Sequence, residues 1–297
     1  MAGSRREKWV AFAFVAPATI LIGLFVLLPA LNMLLTSTQQ QSLTARDGGT
    51  FIGIENYRLL AADPAFIQSV RNTAWFALAV TILQTLVALA LASWANGPGF
   101  SRRFLRWAIF LPTTISLAVL SVLWKLMYEP ASATGTGLVN GLIGSVGLPT
   151  QPFLTNPHQA LPAIVFMSIW QGVGLQMMIF LAGLQSVPAE LYEAAQLDGA
   201  GRPRRFAHIT LPHLAPTVVF VVTITAIFGF RLFVQPFLMT RGGPQGATMS
   251  LLQYIYETAF FQRDLGLACA AGVVLFVVVL SLTVLLRWLM RRVEAVP

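Results

Sequence analysis

The sequence is poor in charge, in cysteine and in histidine. Only 10% of its 297 residues are Asp, Glu, Lys or Arg, and it has 1 cysteine and 3 histidines. A soluble globular domain carries roughly 25% charged residues, so this composition argues against one. Cys269 alone provides neither a disulfide framework nor a zinc site, and the histidines are too scattered for a metal centre or a proton relay.

Motifs for catalytic chemistry are missing as well. The chain has no glycine-rich loop followed by Lys and Ser or Thr, the pattern that holds the phosphates of ATP. No set of Ser, His and Asp lies within the apolar segments to suggest hydrolysis. We therefore predict a protein without catalytic residues, metal or bound cofactor.

Long apolar blocks make up most of what is present. Hydrophobic residues account for 56% of the chain, and its mean hydropathy is +0.73. Several blocks exceed the roughly 20 residues that a helix needs to cross hydrocarbon. The pattern predicts an all-α polytopic membrane protein with six transmembrane helices, near residues 10–34, 73–95, 107–127, 161–184, 214–239 and 266–289.

Basic residues fall mainly in every second connection between these blocks. Positive residues near span ends are retained on the cytoplasmic side. One side of the predicted topology holds Arg5, Arg6, Lys8, Arg102, Arg103, Arg106, Arg202, Arg204, Arg205, Arg287, Arg291 and Arg292. The other side holds Arg46, Arg58, Arg71, Arg241 and Arg263. Both termini are therefore expected in the cytoplasm, and this scatter of basic residues argues against nucleic acid as a partner.

The connection at residues 186–212 is more patterned than a simple linker, and we call it the elbow. Ser186 can cap a helix that has Pro188 and Glu190 in its first turn, where proline and acid are both favoured. Small side chains continue the helix, and Gly199 can end it by adopting a positive φ. The pattern predicts a helical first leg at the cytoplasmic membrane surface.

A second leg is predicted from about Pro203 to just before Leu211 and Pro212. The spacing across both legs resembles the EAA motif of the permeases of binding-protein-dependent ABC importers: Glu, Ala, Ala, three residues, Gly, nine residues, Ile, one residue, Leu and Pro. The residues at or beside the motif positions are Glu190, Glu193, Ala194, Ala195, Asp198, Gly199, Ala200, Ile209, Leu211 and Pro212.

The resemblance implies a type I ABC importer (MetI-like) permease fold and a set of partners. In that family the elbow docks on an ATPase subunit as a coupling helix. Ala194 and Ala195 would allow close approach, and Glu193 would accept hydrogen bonds from basic groups; alternatively, Glu193 only stabilises the helix N-terminus, by about 0.3–1 kcal/mol. The implied partners are a second, homologous permease subunit in a heterodimer, two ATP-binding cassette ATPase subunits, an extracytoplasmic solute-binding protein and the lipid bilayer of the bacterial cytoplasmic (inner) membrane. ATP and Mg²⁺ would be used by the partner ATPase.

Further segments are similar to carbohydrate-uptake permeases of the maltose and glycerol-3-phosphate type. They are residues 51–57 with 72–73, 240–244 and 254–260. One departure is Arg241, which stands where the family usually carries a further glycine. The resemblance implies that the transported substrate is a sugar or a related polyol.

Polar and small residues of the fourth and fifth spans are candidates for the substrate path, since a polar solute needs groups that replace its water. In related permeases these two helices line the sugar pocket, and the matching positions here are Ser168, Gln171, Gly172, Leu175, Thr225, Phe228, Gly229 and Leu232. Arg231 and Gln235 are added as polar residues of the fifth span. For each polar residue the alternative is a helix-to-helix hydrogen bond, worth about 0.6 kcal/mol.

Arg231 is the most informative charge within a predicted span. It would lie about eight residues, or roughly 12 Å, inside the outer end of the fifth span, where an arginine facing lipid is costly. We expect it to face the cavity or a partner; the alternative is snorkelling to the outer interface. An arginine on the path favours an anionic solute such as a sugar phosphate, although guanidinium also bonds neutral hydroxyls.

The predicted organisation has four parts: a cytoplasmic stub with the first span at 1–36, an outer loop at 37–72, a five-helix core at 73–290 and a cytoplasmic tail at 291–297. The outer loop at 129–160, rich in Gly, Ser, Thr and Pro, is expected to be a flexible cap or a binding element. A self-sufficient secondary transporter of a polar solute is the alternative function. Such carriers commonly have repeated halves and broken helices, and the sequence predicts neither.

Overall fold

The computed structural model describes residues 5–44, 49–130 and 135–294, which are mostly helical. Their elements are α1 (Arg5–Ile22), α2 (Leu28–Thr36), β1 (Gln39–Gln40), β2 (Thr50–Phe51), α3 (Glu55–Ala62), α4 (Pro64–Ala95), α5 (Phe100–Phe110), α6 (Leu117–Met127), α7 (Leu138–Ser145), α8 (Pro157–Gln185), α9 (Ala189–Leu197), α10 (Arg202–Arg205), α11 (Leu211–Phe230), α12 (Val234–Met239), α13 (Leu251–Phe260) and α14 (Leu265–Glu294). π-helical turns lie at Gly23–Leu27 and Phe206–Thr210, and a 3-10 turn lies at Leu111–Thr114.

Five helices of the described residues are long and apolar enough to cross a membrane, and a bent pair raises the number to as many as six. The five are Phe12–Thr36, Pro64–Ala95, Pro157–Gln185, Arg202–Phe230 and Leu265–Trp288. The predicted all-α polytopic fold is therefore confirmed, whereas the orientation of the termini stays a prediction. Arg46 lies outside the described residues, as do residues 1–4 and 295–297 of the predicted terminal segments.

The second predicted span begins earlier than residue 73. α4 starts at Pro64, so the predicted outer loop at 37–72 contains α3 and the first turns of α4. Proline suits the first turn of a helix because its missing N–H would have no partner there. The hydroxyls of Ser69 and Thr73 donate to carbonyls of preceding turns, which satisfies polar groups that make this stretch look like a loop in the sequence.

The third predicted span is two helices rather than one. α5 and α6 meet at a bend of 100°. Pro112 lies in the 3-10 turn that follows α5, and the two residues before α6, Ile115 and Ser116, have ψ values of 141° and 131°, far from the helical range. The expectation of unbroken helices is therefore wrong for this span.

The fifth predicted span, at 214–239, is also interrupted. α11 ends at Phe230, and α12 begins only at Val234. Pro236 cannot donate to the carbonyl four residues before it, so a helix continued from α11 would lose a hydrogen bond there, whereas the first turn of α12 accommodates proline. Arg231 thus lies at the end of a helix and not deep within one, which corrects its predicted position.

The chain forms two compact units. The first comprises Met1–Asp63 and Ile255–Phe276. Within it β1 pairs antiparallel with β2, and the buried amide of Asn56 donates to the carbonyls of Ser37 and Gln39, both at 2.9 Å. These bonds fix the chain where it leaves α2.

The second unit comprises Pro64–Tyr254 and Val277–Pro297. At its centre α4, α8 and α11 pack against one another. α4 presents Ala88 and Ala92, both fully buried, to a cluster that includes Met177, Phe180 and Leu214. Small residues one turn apart allow close helix approach, which is the usual basis of helix packing in a bilayer.

The outer loop at 129–160 is organised by one buried asparagine. The Asn140 amide donates to the carbonyls of Tyr128, Glu129 and Gln151 at 3.0–3.1 Å and accepts from the Gln151 N–H at 2.8 Å. In the part of the loop that the structure describes, these bonds join α7 to both flanking segments. Both alternatives for this loop, a flexible cap and a binding element, stay predictions.

Candidate functional site

A cavity of about 490 Å³ lies in the second unit, between α4, α8, α11 and the break before α12. Every residue predicted for the substrate path lines it: Ser168, Gln171, Gly172, Leu175, Thr225, Phe228, Gly229, Arg231, Leu232 and Gln235. They meet because α8 and α11 both pack on α4. Their role in transport stays a prediction.

A third wall of this cavity was not predicted from the sequence. It consists of Phe76, Val80 and Gln84 of α4, with Thr113 of the 3-10 turn and Leu117 of α6. Gln176, Ile179, Ile224 and Val234 add to the walls formed by the fourth and fifth spans. A signal for the α4 wall was present, because Thr81, Gln84 and Thr85 recur at helical spacing within an apolar run and are all buried. For Thr113, on the 3-10 turn, no comparable sequence signal exists.

Amide side chains dominate the polar part of the lining, which includes Gln84, Gln171, Gln176 and Gln235. Gln235 donates to the Ser168 hydroxyl at 3.4 Å, and Gln176 donates to the Thr225 hydroxyl. The Gln176 Oε1 atom is buried and has no hydrogen-bond partner within the described residues. Because an amide both donates and accepts, these four uncharged side chains can bond solute hydroxyls as donors or as acceptors.

Two glycines of α8 let neighbouring elements approach closely, and Gly172 lines the cavity. A Cβ atom at Gly172 would lie 2.6 Å from Gln84 Nε2, the flexible end of a side chain. At Gly174 it would lie 2.3 Å from the carbonyl oxygen of Ile109, which belongs to the backbone of α5. The absence of side chains here sets how closely α8 approaches the other walls.

Arg231 supplies the cavity's charge. It is exposed at the break between α11 and α12, and the other lining residues are uncharged. Within the described residues its guanidinium has no ion-pair or hydrogen-bond partner, and no cluster of His, Cys, Asp or Glu suited to a metal is found there either. The cavity therefore combines neutral hydrogen-bonding groups with one fixed positive charge.

The first leg of the elbow is α9. It begins after Pro188, and Glu190 lies in its first turn as predicted. Ser186 does not cap it: its hydroxyl donates to the Gly183 carbonyl at 2.8 Å and so closes the end of α8. The predicted cap is wrong because a serine near a helix end can bond either to the preceding or to the following helix.

The turn of the elbow is fixed by backbone hydrogen bonds. Gly199 has φ of 76°, which confirms the predicted positive value. Its N–H donates to the Gln196 carbonyl at 3.1 Å, and the Ala200 N–H donates to the Ala195 carbonyl at 2.9 Å. This pair of bonds is the Schellman arrangement that ends a helix and redirects the chain.

The second leg does not stop before Leu211, contrary to prediction. α10, the π turn and α11 form a continuous helix from Arg202 to Phe230. Pro212 cannot donate to the His208 carbonyl, and the chain accommodates this with a wider π turn rather than with a break. The Tyr192 and Thr210 hydroxyls, 2.9 Å apart, join the two legs.

The elbow presents a largely exposed surface. Its exposed motif residues are Glu190, Glu193, Ala194, Asp198, Gly199, Leu211 and Pro212, whereas Ala195, Ala200 and Ile209 are partly buried. Leu197, the last residue of α9, is 90% exposed, which is unusual for a large apolar side chain. Within the described residues Glu193 has no ion pair. Exposed apolar and acidic groups on a fixed helix suit a protein partner.

One of the segments that carry the sequence resemblance, at residues 72–73, contacts the loop between α12 and α13. The Asn72 amide of α4 donates to the carbonyls of Gly246 and Met249 at 2.8 and 3.0 Å. The Thr73 hydroxyl accepts from the Leu251 N–H at 2.8 Å. The loop between α12 and α13 is thereby held on α4.

In the same loop Arg241 has φ of 52°. Glycine adopts such a conformation freely, while a residue with a side chain incurs roughly 1–2 kcal/mol of strain. The loop therefore keeps a glycine-like turn at the position where this sequence departs from the family.

Comparison with known proteins matches residues 84–295 to the family described as "Binding-protein-dependent transport system inner membrane component". "Probable ABC transporter permease protein YurN" of Bacillus subtilis (strain 168) is 33% identical over 285 residues, which cover 94% of this chain and 95% of that protein. "Sulfoquinovosyl glycerol transport system permease protein SmoG" of Agrobacterium fabrum is 33% identical over 279 residues, covering 93% and 89%. A crystal structure of a bacterial alginate ABC transporter, in complex with alginate pentasaccharide-bound periplasmic protein, contains a chain with the same fold, at a TM-score of 0.85 and 24% identity, covering 98% of this chain and 96% of that one.

Proposed function

Because the chain belongs to the family of binding-protein-dependent transport system inner membrane components, we propose that it is the permease subunit of an ATP-driven importer of sugar-type solutes. As a member it is a multi-pass component of the inner membrane. A self-sufficient secondary transporter is not favoured, because the family signature extends over residues 84–295. The breaks in the third and fifth spans are therefore features of a permease and do not indicate a secondary transporter.

The cavity lining is the observation that carries the proposed substrate class. Gln171, Gln176 and Gln235 offer amide donors and acceptors to hydroxyl groups. The O–H groups of Ser168 and Thr225 donate to carbonyls of their own helices, so these two residues add acceptor oxygens. Arg231 adds a charge that suits an acidic substituent. The relative SmoG is named for sulfoquinovosyl glycerol, a sugar derivative. We therefore propose a sugar or polyol derivative, delivered by an extracytoplasmic solute-binding protein.

The elbow is proposed as the contact with the ATPase. Two ATPase subunits would bind and hydrolyse ATP with Mg²⁺, one beneath this chain and one beneath a second, homologous permease. Exposed Glu193 would accept hydrogen bonds from basic groups of the ATPase. Because the second leg continues into α11, a displacement of the elbow would reach the wall that carries Thr225 and Arg231.

Reconstituted proteoliposomes test the energy source and the elbow together. Uptake of a panel of sugars should require internal ATP and external solute-binding protein. Glu193→Lys should leave the complex assembled and hydrolysing ATP while uptake is lost. Uptake driven by an ion gradient without ATP would contradict the proposal.

Substrate recognition is tested separately within α8. Gln171→Ala should raise the KM for uptake, because it removes an amide from the lining. Gln185→Ala is the matched control, since Gln185 lies on the same helix, is exposed and does not line the cavity. Equal KM values for the two variants would remove Gln171 from the path.

A further inference from the structure

A second, smaller pocket lies where the elbow meets the end of α4. It has a volume of about 240 Å³ and is lined by Ser93, Asn96, Leu184, Tyr192, Arg202, Arg205, Phe206 and Thr210. We call it the basic pocket. It is separate from the cavity described above and shares no lining residue with it.

The charge of the basic pocket is positive and uncompensated. None of its lining residues is acidic. Within the described residues the Arg202 guanidinium has no hydrogen-bond or ion-pair partner, and that of Arg205 donates to the Gln196 side chain at 3.4 Å. Two guanidinium groups therefore keep most of their N–H donors available in one concave site.

Neutral donors complete the lining. The Asn96 amide has no hydrogen-bond partner within the described part of the chain, so both of its N–H groups are available. Tyr192 and Thr210 share one hydrogen bond between their hydroxyls, which leaves one O–H free to donate. This set of donors matches an anion that has several acceptor oxygens.

The end of α4 would by itself oppose an anion, since the C-terminus of a helix carries a partial negative charge. Arg106 offsets this. Its guanidinium donates to the Ala95 carbonyl at 3.2 and 2.7 Å and to the Gly97 carbonyl at 2.8 Å. The last carbonyl of α4 and that of Gly97 after it are thus bonded to a cation, and the basic pocket stays positive on this side as well.

We propose that the basic pocket binds a phosphate group, carried either by a membrane phospholipid or by free phosphate in the cytoplasm. Guanidinium forks match phosphate oxygens in pairs. On the predicted topology the pocket lies at the cytoplasmic surface, where basic pockets between transmembrane helices meet lipid head groups. A phosphate bonded to Arg202 and Arg205 on one side and to Asn96 on the other ties the second leg of the elbow to α4.

The test compares variants of the full chain, purified in neutral detergent. Arg202→Gln with Arg205→Gln removes both charges from the basic pocket. Arg204→Gln is the matched control, because Arg204 lies in the same short helix, is exposed and does not line the pocket. Arg202→Lys with Arg205→Lys keeps the charge, and thermal unfolding checks that each variant is folded.

Two ligands are offered as probes. Retention of phosphatidylglycerol in competition with phosphatidylcholine is measured by native mass spectrometry, and binding of inorganic phosphate is measured by calorimetry. Affinity for at least one probe should fall about thirty-fold in the double glutamine variant, since each basic residue near a charged group contributes roughly a factor of five. The lysine variant should retain part of the affinity, and Arg204→Gln should match the wild type.

The outcome also identifies the source of the phosphate. Loss of phosphatidylglycerol retention without any calorimetric signal for phosphate assigns the site to a lipid, and the reverse assigns it to the free anion. Equal binding of both probes by the wild type, the double glutamine variant and Arg204→Gln would overturn the proposal. An equal loss in Arg204→Gln would also overturn it, because the effect would then follow net charge and not the pocket.

Discussion

At the scale of single residues, the lack of a side chain has different consequences at Gly172 and at Gly174. At Gly172 an added methyl group would meet the amide of Gln84, which can swing away. At Gly174 it would meet the backbone of α5, which cannot yield without moving a helix. The first glycine shapes the cavity, and the second fixes the distance between two helices.

Alanine substitutions should separate these two roles. Gly174→Ala should destabilise the assembled transporter by about 1–3 kcal/mol, because overpacking forces backbone shifts. Gly172→Ala should leave stability nearly unchanged and raise the KM for uptake, because Gln84 is displaced from the cavity wall. Thermal unfolding of the purified complex and uptake kinetics measure the two effects. Equal unfolding temperatures for both variants would show that α5 and α8 adapt more easily than their contact indicates.

At the scale of secondary structure elements, the elbow depends on how α9 ends. Gly199 has positive φ at the turn, whereas Gly201 two residues later has φ of −68° and ψ of 165°, an extended conformation open to any residue. No atom beyond the neighbouring residues lies within 4 Å of a Cβ added at Gly199, and the nearest to one at Gly201 is a Pro203 carbon at 3.9 Å. Backbone conformation, not space, distinguishes the two positions.

Gly199→Ala should therefore disturb the turn at a cost of about 1–2 kcal/mol and change the direction in which α9 is presented. We expect ATP hydrolysed per solute transported to rise, because the first leg no longer follows the second. Gly201→Ala should keep the wild-type ratio. The ratio is measured in proteoliposomes, and the same increase in both variants would mean that general loosening of the elbow, not its turn, causes the uncoupling.

The existence of the elements was predictable from hydropathy, but their breaks were not. Apolar residues lie on both sides of the bend before α6 and of the gap before α12, so the mean hydropathy of a span cannot reveal either interruption. Pro112 and Pro236 were visible signals, yet a proline only disfavours certain hydrogen bonds, and the packing around it determines whether the helix bends, widens or breaks. Before Pro212 the helix widens into a π turn and continues, which is intermediate between a regular helix and a break.

The candidate site was predictable to the extent that it lies on the fourth and fifth spans. Its third wall depends on which face of α4 turns inward, and that face follows from packing against α8 and α11. Gln84 was thus recognisable as a polar residue in an apolar run but could not be assigned to the cavity without the fold. Thr113 comes to the cavity through the bend after α5, which was itself not predicted.

At the scale of the whole molecule, the predicted topology determines which side of the membrane the elbow and the helix breaks face. Exposed Arg103, near the start of α5, is predicted on the cytoplasmic side, and exposed Arg58 of α3 is predicted on the outer side. The chain's one cysteine, Cys269, is replaceable by alanine because it lies among small buried residues of α14.

Substituted cysteines test this orientation directly. In a Cys269→Ala background, a membrane-impermeant maleimide should label Arg58→Cys in intact spheroplasts. Arg103→Cys should react only after the membrane is permeabilised. The opposite pattern would reverse the orientation and place the elbow outside, where no ATPase could reach it.

The amide lining of the 490 Å³ cavity has a consequence for the time a solute spends inside. A site that holds one water molecule needs roughly 10–15 Å³, so a polar cavity of this size is hydrated before a solute arrives. Each hydroxyl then exchanges a bond with water for a bond with an amide, and the net gain is small. For the proposed substrate path, weak retention and rapid departure follow, which is what a carrier requires of a site it must empty in every cycle.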